Sequence, residues 1–112
     1  MPGQPQFHVD MRRDSSDDVT LALEGELDFK TAPVLVERAR EALDQRPPRL
    51  VLDLAELQFM DCSGLGAVRM VAREQRAREP DSQVVVRSPG PTVRRLLDIL
   101  GPGSVPGFAE VA

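Results

Sequence analysis

One serine, Ser63, stands in a short segment whose residue types could form a chemical site. The segment reads Asp61-Cys62-Ser63-Gly64-Leu65-Gly66 and follows the apolar pair Phe59-Met60. A serine hydroxyl can act as a nucleophile, accept a phosphate, or cap a helix with its oxygen. A carboxylate, a thiol and two glycines lie within three residues of it, so all three roles have to be considered.

The catalytic role finds no support elsewhere in the sequence. His8 is the only histidine, so a Ser-His-Asp hydrolase would depend on it. Asp61 and Leu65 occupy the glycine positions of a Gly-x-Ser-x-Gly nucleophile elbow. The glycine segment lacks the third glycine of a dinucleotide-binding loop, no Gly-Lys-Ser/Thr phosphate loop exists, and the acidic residues are not paired at metal-ligand spacing. The sequence therefore predicts no enzymatic activity, no metal site and no cofactor.

Two roles for Ser63 remain, the N-cap of the following helix and the acceptor of a phosphate. A helix N-terminus tolerates a phosphate because of its free N–H groups and its macrodipole. The flanking glycines leave room for another protein's active site. Phe59, Met60 and Leu65 are expected to be exposed apolar anchors for a partner. A phosphate adds about −1.5 to −2 charges at neutral pH, and a coupling of about 1.4 kcal/mol changes an affinity tenfold.

Composition and charge narrow the classes of partner. The chain has 112 residues and a net charge of −4, which suits one domain and argues against binding to nucleic acid. The arginines cluster in predicted helices, either as a solvated face or as a partner-facing patch. No apolar run reaches the roughly 18–20 residues of a membrane span, and residues 1–6 lack a signal-peptide pattern. We expect a cytoplasmic protein with a flexible N-terminus over residues 1–6 and one domain over residues 7–112.

Hydropathy patterns predict the elements that position Ser63. Alternating apolar residues indicate a hairpin of two strands that stops at the bend Glu24–Asp28, and Thr31 is expected to cap the first helix. The fold class is α/β, a mixed sheet of four to five strands in the order β-β-α-β-α-β-α, with a terminal β optional. The predicted strands are Phe7–Met11, Val19–Leu23, Leu50–Leu54, Val84–Val86 and Phe108–Val111, and the predicted helices are Thr31–Leu43, Ser63–Glu79 and Ser88–Leu100.

Beyond the serine segment, the sequence is similar to bacterial anti-sigma factor antagonists, which consist of a STAS domain. The segment Phe59–Gly66 resembles their phosphorylation-site signature. The likeness extends to Leu23–Ala32, to the strand Leu50–Leu54 and to the helix Ser88–Leu97. It covers roughly residues 7 to 101 with matching order and spacing.

This resemblance implies a partner switch. The unmodified protein would bind an anti-sigma factor that is also a serine kinase, and so free a sigma factor. The kinase would phosphorylate Ser63 and break the complex, and a phosphatase of the PP2C type would restore it. The residues implied in the partner-facing surface are Asp28, Phe59, Met60, Asp61, Cys62, Gly64, Leu65 and Gly66.

Some interpretations stay open at this point. Asp28 matches an acidic position near the site, but it can equally be a turn or cap aspartate before the first helix. Cys62 stands where relatives often have serine, and it is either a small filler residue or a redox-active thiol. Many relatives carry a further C-terminal helix after the position of Phe108, so an interaction through that edge is undecided. The alternative functions are a STAS module of another signalling or lipid-transport assembly, and a nucleotide-binding protein, against which the missing phosphate loop counts.

Overall fold

The computed structural model describes residues 7–100 and 108–111, which contain a mixed sheet of five strands and three helices. The strands are β1 (Phe7–Arg13), β2 (Val19–Leu27), β3 (Arg49–Met60), β4 (Gln83–Arg87) and β5 (Phe108–Val111), and the helices are α1 (Ala32–Leu43), α2 (Cys62–Arg78) and α3 (Pro91–Leu100). The strands lie side by side in chain order; β1 and β2 are antiparallel and all other neighbours are parallel. The predicted fold class is confirmed, including the terminal strand.

The apolar core lies on one face of this sheet. Alternate residues of the central strands are buried there, as expected because side chains alternate between the two faces of a strand. Helices α1 and α2 cover this face with their own buried residues. The core positions include Leu21, Leu23, Leu50, Leu52, Val84 and Val86 from the strands, and Leu35, Ala39, Val68 and Val71 from the helices.

Two strands extend further than predicted, up to the residues around Ser63. β2 does not stop at Glu24 but continues to Leu27, because Gly25 adopts a left-handed φ of 98° and the register against β3 shifts on either side of it. β3 runs on to Met60 and buries every third residue after Leu54 instead of every second. These bulges hide the period-2 pattern from which strands are predicted.

Two helices begin at other residues than predicted. α2 starts at Cys62, one residue before Ser63. α3 starts at Pro91 because Ser88 adopts a left-handed φ of 57°, which is incompatible with a right-handed helix at that residue. The predicted flexible segment 1–6 lies outside the described residues, as do 101–107 and the side chains of Leu97 and Leu100. None of the helices in the described part of the chain is both long and apolar enough to span a membrane.

Helices α1 and α2 run beside each other in the same direction. Arg40 donates to both carboxylate oxygens of Glu74, with N–O distances of 2.7–3.2 Å, and Arg78 donates to Asp44 at 2.7 Å. Each pair joins residues 34 positions apart in the sequence. The same offset brings the N-terminal ends of the two helices together, next to the ends of β2 and β3.

Candidate functional site

The junction between β3 and α2 consists of Asp61 alone. Its carboxylate accepts a hydrogen bond from the N–H of Gly64 at 2.9 Å, which makes Asp61 the N-cap of the helix. Its own N–H donates to the carbonyl of Leu27 at the end of β2, at 3.3 Å. Asp61 therefore ties the start of α2 to both strands, and the alternative interpretation of Ser63 as the N-cap is wrong.

Gly64 is required by close packing inside the chain. A Cβ at this position would lie 2.5 Å from the carbonyl oxygen of Leu27 and 2.9 Å from the Cγ of Met60. The room that we expected a partner's active site to use is thus filled by the end of β2. Gly66 differs, because a Cβ there would meet nothing within 4 Å. Of these two glycines of α2, Gly66 is the one that leaves open space.

Ser63 is the second residue of α2, and its side chain is exposed. Its hydroxyl makes no hydrogen bond with any residue in the described part of the chain. It opens onto a groove of about 930 Å³ between α1 and α2. A hydroxyl that is exposed and unengaged at the N-terminus of a helix is accessible to a second protein, and the helix dipole there favours an added negative charge.

The groove has an apolar part and a charged part. On α2, Gly66, Ala67 and Met70 line it beside Ser63. Across from them, the apolar lining comes from Phe29, Ala32, Pro33 and Val36, and the charged lining from Glu37, Arg40, Glu41 and Asp44. Phe29 is 68% exposed and Met70 47% exposed, although both are large apolar side chains. Such exposure in a groove is typical of a surface that contacts another molecule.

Asp28 shapes the turn that leads into α1. Its carboxylate accepts hydrogen bonds from the N–H groups of Lys30 at 2.9 Å and Thr31 at 3.1 Å. Thr31 occupies the N-cap position, but its hydroxyl does not cap the helix as predicted; it donates to the carbonyl of Glu26 at 2.7 Å. The interpretation of Asp28 as a turn aspartate is therefore confirmed, and a role in partner contact stays a prediction.

Of the predicted apolar anchors, only Phe59 is exposed. Met60 is 4% and Leu65 is 3% exposed, and both belong to the core. The expectation that these two are exposed is wrong, because Met60, the last residue of β3, and Leu65, the fourth residue of α2, pack in the apolar core. Their contact with a partner stays a prediction. Phe59 is accessible but does not line the groove, and Cys62 is exposed next to Ser63.

Sequence reasoning missed the groove, although a signal for it was present. Ser63, Gly66, Ala67 and Met70 are spaced i, i+3, i+4 and i+7, which places them on one face of α2. Phe29 gave no such signal, because a single aromatic residue in a turn follows no periodic pattern. No group of metal-ligating side chains occurs in residues 7–100 or in 108–111.

Comparison with known proteins identifies relatives across most of the chain. The family model described as "Mlab, STAS domain" matches residues 11–105. The anti-sigma F factor antagonist of Paenibacillus polymyxa is 38% identical over 80 residues, which cover 70% of this chain and 67% of that protein.

Solved structures resemble the chain in fold. The anti-sigma factor antagonist SpoIIAA in its unphosphorylated form superposes with a TM-score of 0.73 at 24% identity, covering 94% of this chain and 89% of the other. The Bacillus cell fate determinant SpoIIAA in the phosphorylated form gives a TM-score of 0.68 at 24% identity, covering 94% and 92%. At this level of identity the two likenesses show the shared fold.

Proposed function

Because the chain belongs to the STAS domain family of anti-sigma factor antagonists, we propose that it binds an anti-sigma factor serine kinase while Ser63 is unmodified. The family is one of regulatory proteins rather than enzymes. In this proposal the complex frees a sigma factor in the cytoplasm. The kinase transfers a phosphate to Ser63 and thereby ends the interaction, and a PP2C-type phosphatase restores the hydroxyl.

The position of Ser63 is the observation that carries this proposal. The hydroxyl is exposed, engages none of the described residues, and lies at the open end of a helix pair. Asp61 supplies the N-cap, so Ser63 is not needed to hold the helix. A residue that the fold does not use for its own stability is free to be modified.

A phosphate on Ser63 is expected to change the contact surface and to leave the backbone as it is. The N-terminus of α2 accommodates the added charge through its dipole and its free N–H groups. The same charge lies in the groove with Met70 and Phe29. An apolar side chain of a partner that binds there would have to remove water from the phosphate, which is unfavourable. The solution of a related fold in both phosphorylated and unphosphorylated forms supports a modification that the fold tolerates.

The proposed partner-facing surface surrounds Ser63. It includes Asp61 and Cys62 before the serine, Gly66 after it, and the exposed side chain of Phe59. Asp28 lies close by, since the carbonyl of the preceding residue contacts both Asp61 and Gly64. Gly64 contributes indirectly by letting α2 approach β2.

Mass spectrometry tests the phosphorylation directly. The purified protein is incubated with ATP and each candidate anti-sigma kinase of its source, and intact mass and peptide mapping locate the phosphate. We expect one phosphate, on Ser63, and none in a Ser63→Ala variant. Thr31 provides the internal control, because it is a hydroxyl residue at the start of the neighbouring helix but is buried. A phosphate on another residue with Ser63 unmodified would overturn the assignment.

A further inference from the structure

We propose that the groove between α1 and α2 binds a partner segment with an apolar anchor at one end and cationic side chains at the other. This inference rests on the proposed function, since the partner is the protein that Ser63 phosphorylation releases. It adds which chemistry the partner must present, and where.

The apolar end of the groove lies next to Ser63. Phe29 and Ser63 both line this end, and with the offset of 34 residues between the helices Met70 is level with Val36. Gly66 and Ala67 are the small residues of α2 that line the groove between Ser63 and Met70, and a Cβ added at Gly66 would meet no packed neighbour within 4 Å. A leucine, isoleucine or aromatic side chain fits this arrangement, because it would cover the exposed faces of Phe29 and Met70.

The other end of the groove is acidic. Three carboxylates line it, those of Glu37, Glu41 and Asp44, against one guanidinium, that of Arg40. The charge of Arg40 is already engaged by Glu74, and this hydrogen-bonded carboxylate raises the pKa of the guanidinium. Among the carboxylates, Glu41 pairs with Arg38 at 3.0 Å and Asp44 pairs with Arg78 at 2.7 Å. Glu37 has no ion-pair partner within residues 7–100 and 108–111. A lysine or arginine of the partner is therefore the group that complements Glu37.

The groove runs along α1, whose length sets the size of a helical occupant. From Pro33 to Asp44, α1 rises about 17 Å, close to three turns. An occupant helix of that length would place its anchor and its cations about two turns apart. Phosphorylation then acts on one end only, because the phosphate of Ser63 would put about two negative charges into the apolar end.

Two stapled helical peptides serve as probes, so the test does not depend on finding the kinase. One carries leucines in its first turn and lysines about two turns later, and the other has glutamates in place of the lysines. Fluorescence anisotropy measures their affinity for the wild-type protein and its variants. We expect the lysine peptide to bind at least about tenfold more tightly, with an affinity that falls as salt is added.

The variants separate the two ends of the groove. Met70→Ser should weaken the binding of the lysine peptide about tenfold, and so should the double variant Glu37→Lys/Glu41→Lys. In the double variant, the affinity should also no longer fall as salt is added. Matched controls are Val34→Ser, an exposed apolar residue of α1 outside the groove, and Glu56→Lys, an exposed acid of β3; both should stay within about twofold of wild type. Ser63→Asp should weaken binding and Ser63→Ala should not.

Several results would overturn this inference. These are equal binding of the two peptides, binding of neither up to about 1 mM, and wild-type affinity of Met70→Ser. A dimer that Met70→Ser dissociates in sedimentation would assign the groove to a second copy and would also contradict the proposal. If the peptide results hold but no kinase modifies Ser63, the groove stands and the phosphorylation switch fails. If a kinase modifies Ser63 but the peptide results do not hold, only the groove assignment fails.

Discussion

At the scale of single residues, neighbours of Ser63 have separate tasks. Asp61 and Gly64 hold the junction of β2, β3 and α2 through a cap and a close backbone approach. Ser63 lies between them in sequence, yet its hydroxyl takes no part in these contacts. Modification of Ser63 can therefore alter the surface without removing an interaction that holds the fold.

The two glycines of α2 should respond oppositely to alanine. Gly64→Ala should lower the free energy of unfolding by about 1–3 kcal/mol, because the new Cβ would overlap the carbonyl of Leu27. Gly66→Ala is the matched control; it adds a methyl group in open space and should raise the stability by up to about 1 kcal/mol through helix propensity. Urea denaturation measures both, and equal effects would contradict the packing described at Gly64.

Removing the N-cap of α2 should lower the free energy of unfolding less than Gly64→Ala does. Asp61→Ala deletes the acceptor of the Gly64 N–H and should lower the free energy of unfolding by about 1 kcal/mol. Asp61→Asn keeps an acceptor oxygen and should remain within about 0.5 kcal/mol of wild type. Thermal unfolding of the two variants distinguishes them. If alanine were tolerated as well as asparagine, the capping role would be excluded.

Acid should weaken the β1–β2 hairpin turn through Asp14. Hydrogen bonds from the hydroxyl and the N–H of Ser16 hold the pKa of Asp14 below its usual value. A lowered folded-state pKa stabilises the fold above the unfolded pKa of about 3.9, and this contribution disappears as the pH falls through the folded value. Asp14→Asn should thus lower the urea midpoint at pH 7, and the difference from wild type should vanish in acid. A difference that stays constant with pH would be inconsistent with this assignment.

At the scale of elements, the ion pairs between strands and between helices differ in how much they stabilise the fold. Asp18, directly before β2, is 5% exposed and accepts two hydrogen bonds from Arg49 at the start of β3, at 2.8 and 3.0 Å. Arg40 and Glu74 join α1 to α2 at the surface, where water competes with the pair. The first pair fixes the end of a strand, and the second adds to helices that the core already holds.

Substitutions should rank these two pairs by burial. Asp18→Ala should lower the free energy of unfolding by about 1–3 kcal/mol, because a buried acceptor is lost and the guanidinium of Arg49 is left without its partner. Arg40→Ala should lower it by about 1 kcal/mol or less. Double-mutant cycles with Arg49→Ala and Glu74→Ala give the two coupling energies. A larger coupling for the surface pair would contradict the ranking.

Helices and strands with a regular hydropathy pattern were predicted from the sequence, and those with an irregular pattern were not. The helix pattern of α1 and the apolar runs of β3 and β4 predicted buried faces that the structure confirms. The extension of β3 to Met60 was not predictable, because register shifts change the spacing of its buried residues from two to three. The same shifts bury Met60, which a local pattern assigned to the surface.

At the scale of the whole molecule, the sequence predicted the family and the position of Ser63 better than it predicted the surface around it. The serine segment is contiguous, so its residues could be recognised together. The groove combines Phe29 and Val36 with Ser63 and Met70, which lie 27 to 41 residues apart in the sequence and meet only because α1 and α2 pack side by side. Contacts of that kind depend on the sheet topology rather than on any local pattern.

In the proposed switch, a phosphate on Ser63 releases a partner that the unmodified protein binds. Isothermal titration of the anti-sigma kinase with the unmodified and the Ser63-phosphorylated protein tests it most directly. We predict that phosphorylation weakens binding at least about tenfold, that Ser63→Asp also weakens it, and that Ser63→Ala binds like the unmodified protein. Equal affinity of the unmodified and phosphorylated forms would contradict the claim.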